Sequence, residues 1–129
     1  MKKLFINLSN HPSSTWSDKQ KDAAAKLGEI VDIPFPVVDP NAHKGAVEVQ
    51  AIELLNTVLE TIAHHGVDAS YTTVCIAGEF SLVIAFVMQC EDLGMPFDVV
   101  VATSERNTTL NEDGSKTVRF DFVQFRLVL

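Results

Sequence analysis

The sequence is poor in several features that define familiar classes of protein. It has only two cysteines in 129 residues, Cys75 and Cys90, and both lie inside apolar segments. A disulfide-stapled secreted domain needs a denser set, so we expect two reduced thiols in the core. No apolar run approaches the roughly 18 to 20 residues of a membrane span. The run Leu4–Leu8 is too short for an export signal. These absences predict a cytoplasmic protein that does not associate with membranes.

Positive charge is also scarce. Ten Lys and Arg residues stand against 17 Asp and Glu, which gives a formal net charge of −7. Duplex nucleic acid normally requires a basic face, so we expect no such partner. A small anion is still possible, because a few backbone amides and one or two cations hold a phosphate locally.

Hydrophobic residues make up 47% of the chain, enough for a single domain over residues 1–129 with its own core. Apolar segments rich in β-branched and aromatic residues alternate with helical patterns. The residues from Ala46 to His65 show the helical period best, and Gly66 follows them. The predicted strands are Lys3–Leu8, Glu29–Ile33, Tyr71–Ala77 and Phe97–Ala102, and the predicted helices start from the capping box Ser17-x-x-Gln20, from Ala46 and from Leu82.

The last fifth of the chain changes character. Thr103–Thr109 is extended but polar, residues 111–114 form a turn, and Lys116–Leu129 is a long β pattern. The parity of its apolar residues shifts near Phe122, which predicts a bulge or a strand buried on both faces. The helix Leu82–Leu93 is apolar nearly all round and is therefore predicted to be buried. The order of elements predicts an α/β fold, a Rossmann-like three-layer sandwich whose mainly parallel sheet ends in a C-terminal antiparallel hairpin.

Polar residues follow the first predicted strand directly. Ligands of open α/β sheets bind beyond the carboxyl ends of the strands, so this loop is a candidate site. Hydroxyls and Trp16 could instead cap the next helix and pack on the core. The candidates here are Ser9, Asn10, His11, Ser13, Ser14 and Trp16.

The segments after the third and fourth strands are polar as well. A glycine permits close approach of a ligand, and a helix start presents free amides to an anion. The guanidinium of Arg106 could bind two phosphate oxygens, or it could pair with Glu105 or Glu112. A role for Glu79 at the helix dipole and for Ser81 as a cap is the alternative there. The candidates are Gly78, Glu79, Phe80, Ser81, Thr103, Ser104 and Arg106.

Metal-binding patterns are absent from the sequence. His64 and His65 are adjacent and point apart on a helix, and the two cysteines lack a C-x-x-C spacing. We therefore expect no metal and no cofactor.

Six segments together resemble small stand-alone CRISPR-associated proteins related to the CARF-type ring nucleases of type III systems. The resemblance is one of pattern and layout over most of the chain. Its segments are Leu8–Pro12, Trp16-Ser17-x-x-Gln20, Ile33–Pro36, Gly78–Phe80, Thr103–Arg106 and Phe122–Arg126.

This resemblance implies a homodimer that binds a cyclic oligoadenylate messenger across its two-fold axis. It also implies metal-independent cleavage, in which a ribose 2′-hydroxyl attacks the adjacent phosphate, leaves a cyclic 2′,3′-phosphate and ends the antiviral signal. By position, His11 is the candidate acid or base and Arg106 the group that stabilises charge. Asn10, Ser13 and the amides near Phe80 would orient phosphates, and Trp16 would stack an adenine.

Three alternatives stay open. The protein could sequester the messenger without cutting it, which needs the same loops but no acid or base. It could be an oligomeric scaffold or regulatory subunit that uses its apolar last strand, near Phe125 and Leu127, as an interface. It could also be an enzyme acting on an unrelated small phosphorylated substrate.

Overall fold

The computed structural model describes residues 1–129 and contains one mixed sheet of five strands with three α-helices. None of the helices combines the length and the apolar composition that a membrane crossing requires. In chain order the elements are β1 Leu4–Leu8, α1 Asp18–Leu27, β2 Glu29–Ile33, α2 Lys44–His64, β3 Thr72–Ile76, α3 Phe80–Leu93, β4 Asp98–Leu110 and β5 Lys116–Leu127, with short 3₁₀ turns at Ser13–Thr15 and Ala69–Tyr71.

The sheet has the order β2-β1-β3-β4-β5. The first four strands in this order pair in parallel and β5 pairs antiparallel with β4, which confirms the predicted α/β class and the closing hairpin. β4 is longer than predicted because Thr103–Leu110 continues it against β5. The register shifts opposite the step from Thr103 to Ser104, where Val123 is passed over, so the bulge predicted near Phe122 is present.

Alternate residues of the strands face opposite sides of the sheet, as the two-residue period of a strand requires. Leu4, Ile6 and Leu8 belong to the larger apolar cluster, which includes the buried side chains of α2 and α3. Phe5 belongs to a second cluster with Ala24 of α1. Side chains of both parities in β1 are therefore buried, and every residue of this interior strand is shielded from solvent.

Helix α3 departs from the sequence-based prediction of a fully buried helix. Leu82, Phe86 and Cys90 are buried, because they form the stripe that faces the sheet and α2. Ile84 and Met88 are 58% and 59% exposed on the other side of the helix. Apolar composition all round the helix concealed this orientation, since it gives no contrast between the two faces.

Gly28 joins α1 to β2 at a point of close backbone approach. A Cβ at this position would lie 2.6 Å from the backbone carbon and nitrogen of Leu4. Only a residue without a side chain allows β2 to begin directly beside β1, which places Asp32 next to Asn7 further along the pair.

Candidate functional site

The strand order changes direction at β1. The chain leaves β1 for β2 on one side and then crosses over to β3 on the other side. The connections at the carboxyl ends of β1 and β3 therefore diverge and leave a gap, which is the usual position of a ligand site in open α/β sheets.

A cleft of about 710 Å³ opens at this place, and we call it the switch-point cleft. Three parts of the chain line it. The strands β1 and β4 and the end of β3 contribute Asn7, Ser104, Ala102, Cys75 and Ala77. The connection from β1 and the first turn of α1 contribute Ser9, His11, Thr15, Trp16, Ser17, Lys19 and Gln20. The last strand, β5, contributes Arg119, Phe120, Asp121 and Phe122.

The residues after β1 are held by a network centred on Asn7, which is only 1% exposed. The Asn7 Nδ2 donates to the His11 carbonyl oxygen at 2.9 Å and to Asp32 Oδ1 at 3.0 Å. The Ser9 hydroxyl donates to Asn7 Oδ1 at 2.7 Å and accepts from the His11 backbone N–H at 3.2 Å. Asp32 Oδ2 accepts from the Ser13 backbone N–H and hydroxyl at 3.2 and 3.1 Å. His11 is thus fixed through its main chain.

The side chains of His11 and Trp16 both border the switch-point cleft. The imidazole of His11 is exposed and makes no hydrogen bond within the protein. Trp16 is half-buried and packs edge-on against Phe5 and tilted against Phe125, with 6.1 Å between ring centroids in each pair. The alternative role of Trp16 in core packing is therefore realised, and its remaining surface is available to the cleft.

A charged cluster occupies the β5 side of the cleft. Arg119 Nε lies 2.9 Å from Asp121 Oδ1, and Asn107 Nδ2 donates to Asp121 Oδ2 at 2.6 Å. The hydrogen bonds from Asn107 and Arg119, with the positive charges of Arg119 and Lys19, hold the pKa of the Asp121 carboxyl below its usual value. Arg119 uses only its Nε here, so its terminal nitrogens keep their donors for an anion.

Cys75 lines the cleft but is buried among core residues. Burial raises the pKa of its thiol to about 12. Because only a thiolate is a strong nucleophile, this group stays protonated and unreactive at neutral pH. Cys90 is buried as well, and neither cysteine forms a disulfide, which agrees with the sequence-based expectation of two core thiols.

Several residues predicted for the site lie elsewhere. Arg106 stands opposite Phe120 in the hairpin, is exposed, and takes part in no ion pair. The Thr103 hydroxyl donates to the Gln124 carbonyl oxygen at 3.2 Å. Asn10 and Ser14 are exposed beside the cleft without being part of its lining.

The residues Gly78–Ser81 after β3 lie at the start of α3 and do not line the cleft. The Glu79 carboxylate accepts from the backbone N–H groups of Ser81 and Leu82 and from the Ser81 hydroxyl. These bonds, first of all that from the Ser81 hydroxyl, lower the pKa of Glu79. Gly78 lies against the ring of Phe35, and Phe80 is 83% exposed. Glu79 and Ser81 therefore act at the N-terminal cap of α3, which was the alternative to a role in ligand binding.

Sequence reasoning missed four polar residues of this region: Asn7, Lys19, Asp32 and Arg119. Asn7 carried a usable signal, because a carboxamide inside a five-residue apolar strand must find hydrogen-bond partners when it is buried. Arg119 pairs with Asp121, two residues along the same strand. Its position at the cleft depends on how β5 pairs with β4, a long-range arrangement that has no local sequence signal.

No group of three or more His, Cys, Asp and Glu side chains is arranged to hold a metal ion. The fold and the cleft define the chain as an α/β protein with a mostly parallel sheet and a polar cleft where the strand order changes direction. The chain belongs to the family described as the Uncharacterized protein MJ1673 family, whose model matches residues 3–126. No curated protein matches the chain.

Proposed function

We propose that the switch-point cleft binds a cyclic oligoadenylate and that the protein cleaves it without a metal. The observation that carries this proposal is the composition of the cleft, which combines an imidazole, two cations and aromatic surface in one place. Cations hold the phosphates of a nucleotide, aromatic rings stack on its bases, and an imidazole can transfer protons during cleavage. The residues concerned are His11, Lys19, Arg119, Trp16, Phe120 and Phe122.

In the proposed reaction, a ribose 2′-hydroxyl attacks the adjacent phosphorus and loses its proton to a base. The bond from phosphorus to the 5′-oxygen breaks, and that oxygen takes up a proton. The products carry a 2′,3′-cyclic phosphate and a 5′-hydroxyl. His11 is the proposed acid or base, because imidazole exchanges protons near neutral pH. Lys19 and Arg119 shield the phosphate charge, the role that the sequence assigned to Arg106.

The proposal includes the wider setting that the sequence resemblance implies. The fold is a Rossmann-like three-layer sandwich, with α1 on one side of the sheet and α2 and α3 on the other. A cyclic ligand with two-fold symmetry can engage the same cleft in two copies, so the working unit is a homodimer. Destruction of the messenger in the cytoplasm would then switch off type III CRISPR signalling.

Sequestration without cleavage is the second candidate function, and one observation favours it. A catalytic base is usually oriented by a third group, and the His11 imidazole has no such hydrogen-bond partner. The bare imidazole would then contribute to binding alone.

Incubation of the protein with cyclic tri-, tetra- and hexa-adenylate in EDTA tests both candidates. Chromatography detects linear products, and the fluorescence of Trp16, the only tryptophan, detects binding. Cleavage of one ring size is expected, with a rate about 10²- to 10⁴-fold lower in His11→Ala while binding is retained. His64→Ala, an exposed histidine at the end of α2, is the matched control and keeps the full rate.

Binding without products would show that the protein sequesters the ligand and does not cleave it. Neither binding nor products would reject the proposed ligand for this cleft.

A further inference from the structure

We infer that Asp32 is a positioning residue that holds the His11 segment at the mouth of the cleft through Asn7 and Ser13. The role in chemistry rests on the proposed function of His11, whereas the clasp itself is a property of the folded chain. We call the hydrogen-bonded set of Asn7, Ser9, Asp32 and Ser13 the Asn7–Asp32 clasp.

The buried end of the clasp is Asn7, in β1. Its Nδ2 gives both of its hydrogens, one to the His11 carbonyl oxygen and one to Asp32, and its Oδ1 accepts from Ser9. A buried carboxamide left without partners is costly, so these bonds constrain the segment that supplies them. The parallel register sets Asn7 directly beside Asp32, so the position of this pair is determined by the sheet and not by the loop.

The exposed end of the clasp is the carboxylate of Asp32. One oxygen accepts from Asn7 at 3.0 Å, and the other accepts from the Ser13 backbone N–H and hydroxyl at 3.2 and 3.1 Å. Hydrogen bonds to an ionised acceptor are stronger than those between neutral groups. The carboxylate therefore ties the turn at Ser13 to the end of β2.

His11 lies between the two attachment points of the segment. Its N–H is held by Ser9 and its carbonyl oxygen by Asn7, while Ser13 is held two residues further on by Asp32. The backbone of His11 is fixed although its imidazole is free. The main chain therefore sets the direction in which the His11 ring points. This direction is lost if the hydrogen bonds that hold the segment break.

The chemistry of the clasp requires a carboxylate. All three groups that meet Asp32 are donors, so an amide in its place would set an N–H against one of them. Asp32→Asn preserves size and breaks at least one side of the clasp. Glu29→Gln is the matched control, since Glu29 begins the same strand and lies outside the cleft lining.

Amide hydrogen exchange measured by ¹⁵N NMR tests the clasp without any ligand. In Asp32→Asn, exchange at the His11 and Ser13 amides is expected to accelerate at least about tenfold, since each loses protection on local opening. The imidazole signals of His11 should shift as well, and Glu29→Gln should leave both readouts unchanged. Unaltered exchange and ring signals in Asp32→Asn would overturn the inference.

A double-mutant cycle with cyclic oligoadenylate separates positioning from general stability. Asp32→Asn is expected to lower kcat on the order of tenfold to a hundredfold with KM little changed, because a misplaced catalytic group loses its alignment. In the His11→Ala background the same substitution should have no further effect. An equal loss in both backgrounds would show that Asp32 does not act through His11.

The two proposals fail in different ways. If the wild-type protein neither binds nor cuts any ring, the proposed function is rejected, and faster exchange with shifted ring signals still supports the clasp.

Discussion

The exposed side chain of Glu79 makes the stability of helix α3 depend on pH. Its carboxylate accepts from the backbone N–H groups of Ser81 and Leu82 at 3.0 and 3.1 Å, so it serves as the N-terminal cap of α3. These donors favour the ionised form, and the pKa of Glu79 is lowered as a result. A group with a lowered pKa in the folded state stabilises the fold only while it is ionised.

We expect Glu79→Ala to lower the melting temperature at neutral pH, because two helix amides and a hydroxyl lose their acceptor. The contribution is complete above the pKa that glutamate has in the unfolded chain, and it is lost as pH falls through the lowered value of the folded chain. Thermal unfolding of the wild type and Glu79→Ala across this range should therefore show a difference in melting temperature that disappears at acidic pH. Glu91→Ala, at an exposed residue of the same helix, is the control. A difference in melting temperature that does not change with pH would contradict the role of Glu79 as an ionised cap.

The residue scale also separates what local sequence predicts from what it does not. The Ser17 cap was predictable, since its hydroxyl accepts from the Gln20 N–H at 3.3 Å, three residues away. The bond from Asn7 to Asp32 joins residues 25 positions apart and requires the parallel pairing of β1 with β2. No local pattern contains that information.

At the scale of elements, α3 tests the physical description of the fold most directly. Phe86 is fully buried between the sheet and α2, and Ile84 lies on the opposite, exposed side of the same helix. We expect Phe86→Ala to reduce the free energy of unfolding by about 3 to 5 kcal/mol, through lost burial and the cavity left behind. Ile84→Ala, compared at concentrations where the chain is monomeric, should change it by less than about 0.5 kcal/mol. Equal losses in urea unfolding would show that the two faces of α3 are wrongly assigned.

The closing hairpin illustrates a second limit of sequence reasoning at this scale. The turn at residues 111–114 and the apolar pattern of β5 were readable because both are local. Thr103–Thr109 was predicted as extended and polar, and it proves to be a continuation of β4, since β5 supplies its cross-strand partners. Polar residues remain in the strand because β5 pairs on one side while much of the hairpin is open to solvent.

The whole molecule leaves a stripe of large apolar side chains uncovered. Phe80, Ile84 and Met88 follow one another at four-residue spacing on α3, and all three are exposed. Monomers rarely leave such contiguous apolar surface open to water, so this stripe is a candidate contact between two copies of the chain.

We expect analytical ultracentrifugation at micromolar concentration to show a dimer and Met88→Lys to shift it to monomer, because a charge would have to be buried at the contact. Val37→Lys, at an exposed apolar residue before α2, is the control and should stay dimeric. A dimer that persists in Met88→Lys would show that the dimer contact lies on another surface. A monomeric wild type would rule out a ligand site shared across a two-fold axis.

The sequence by itself determined the features that depend on short-range order. Hydrophobic periods, caps and turns predicted the order of strands and helices, the parallel crossovers and the antiparallel close, because each arises from residues a few positions apart. It also placed His11 and Trp16 at the end of β1, next to the site. The tertiary structure alone decided which polar groups meet: it set Asp32 beside Asn7, turned Gly78–Ser81 away from the cleft, and brought Arg119 to it in preference to Arg106. Those placements follow from strand register and from the packing of the helices and the hairpin against the sheet, which are properties of the packed chain as a whole.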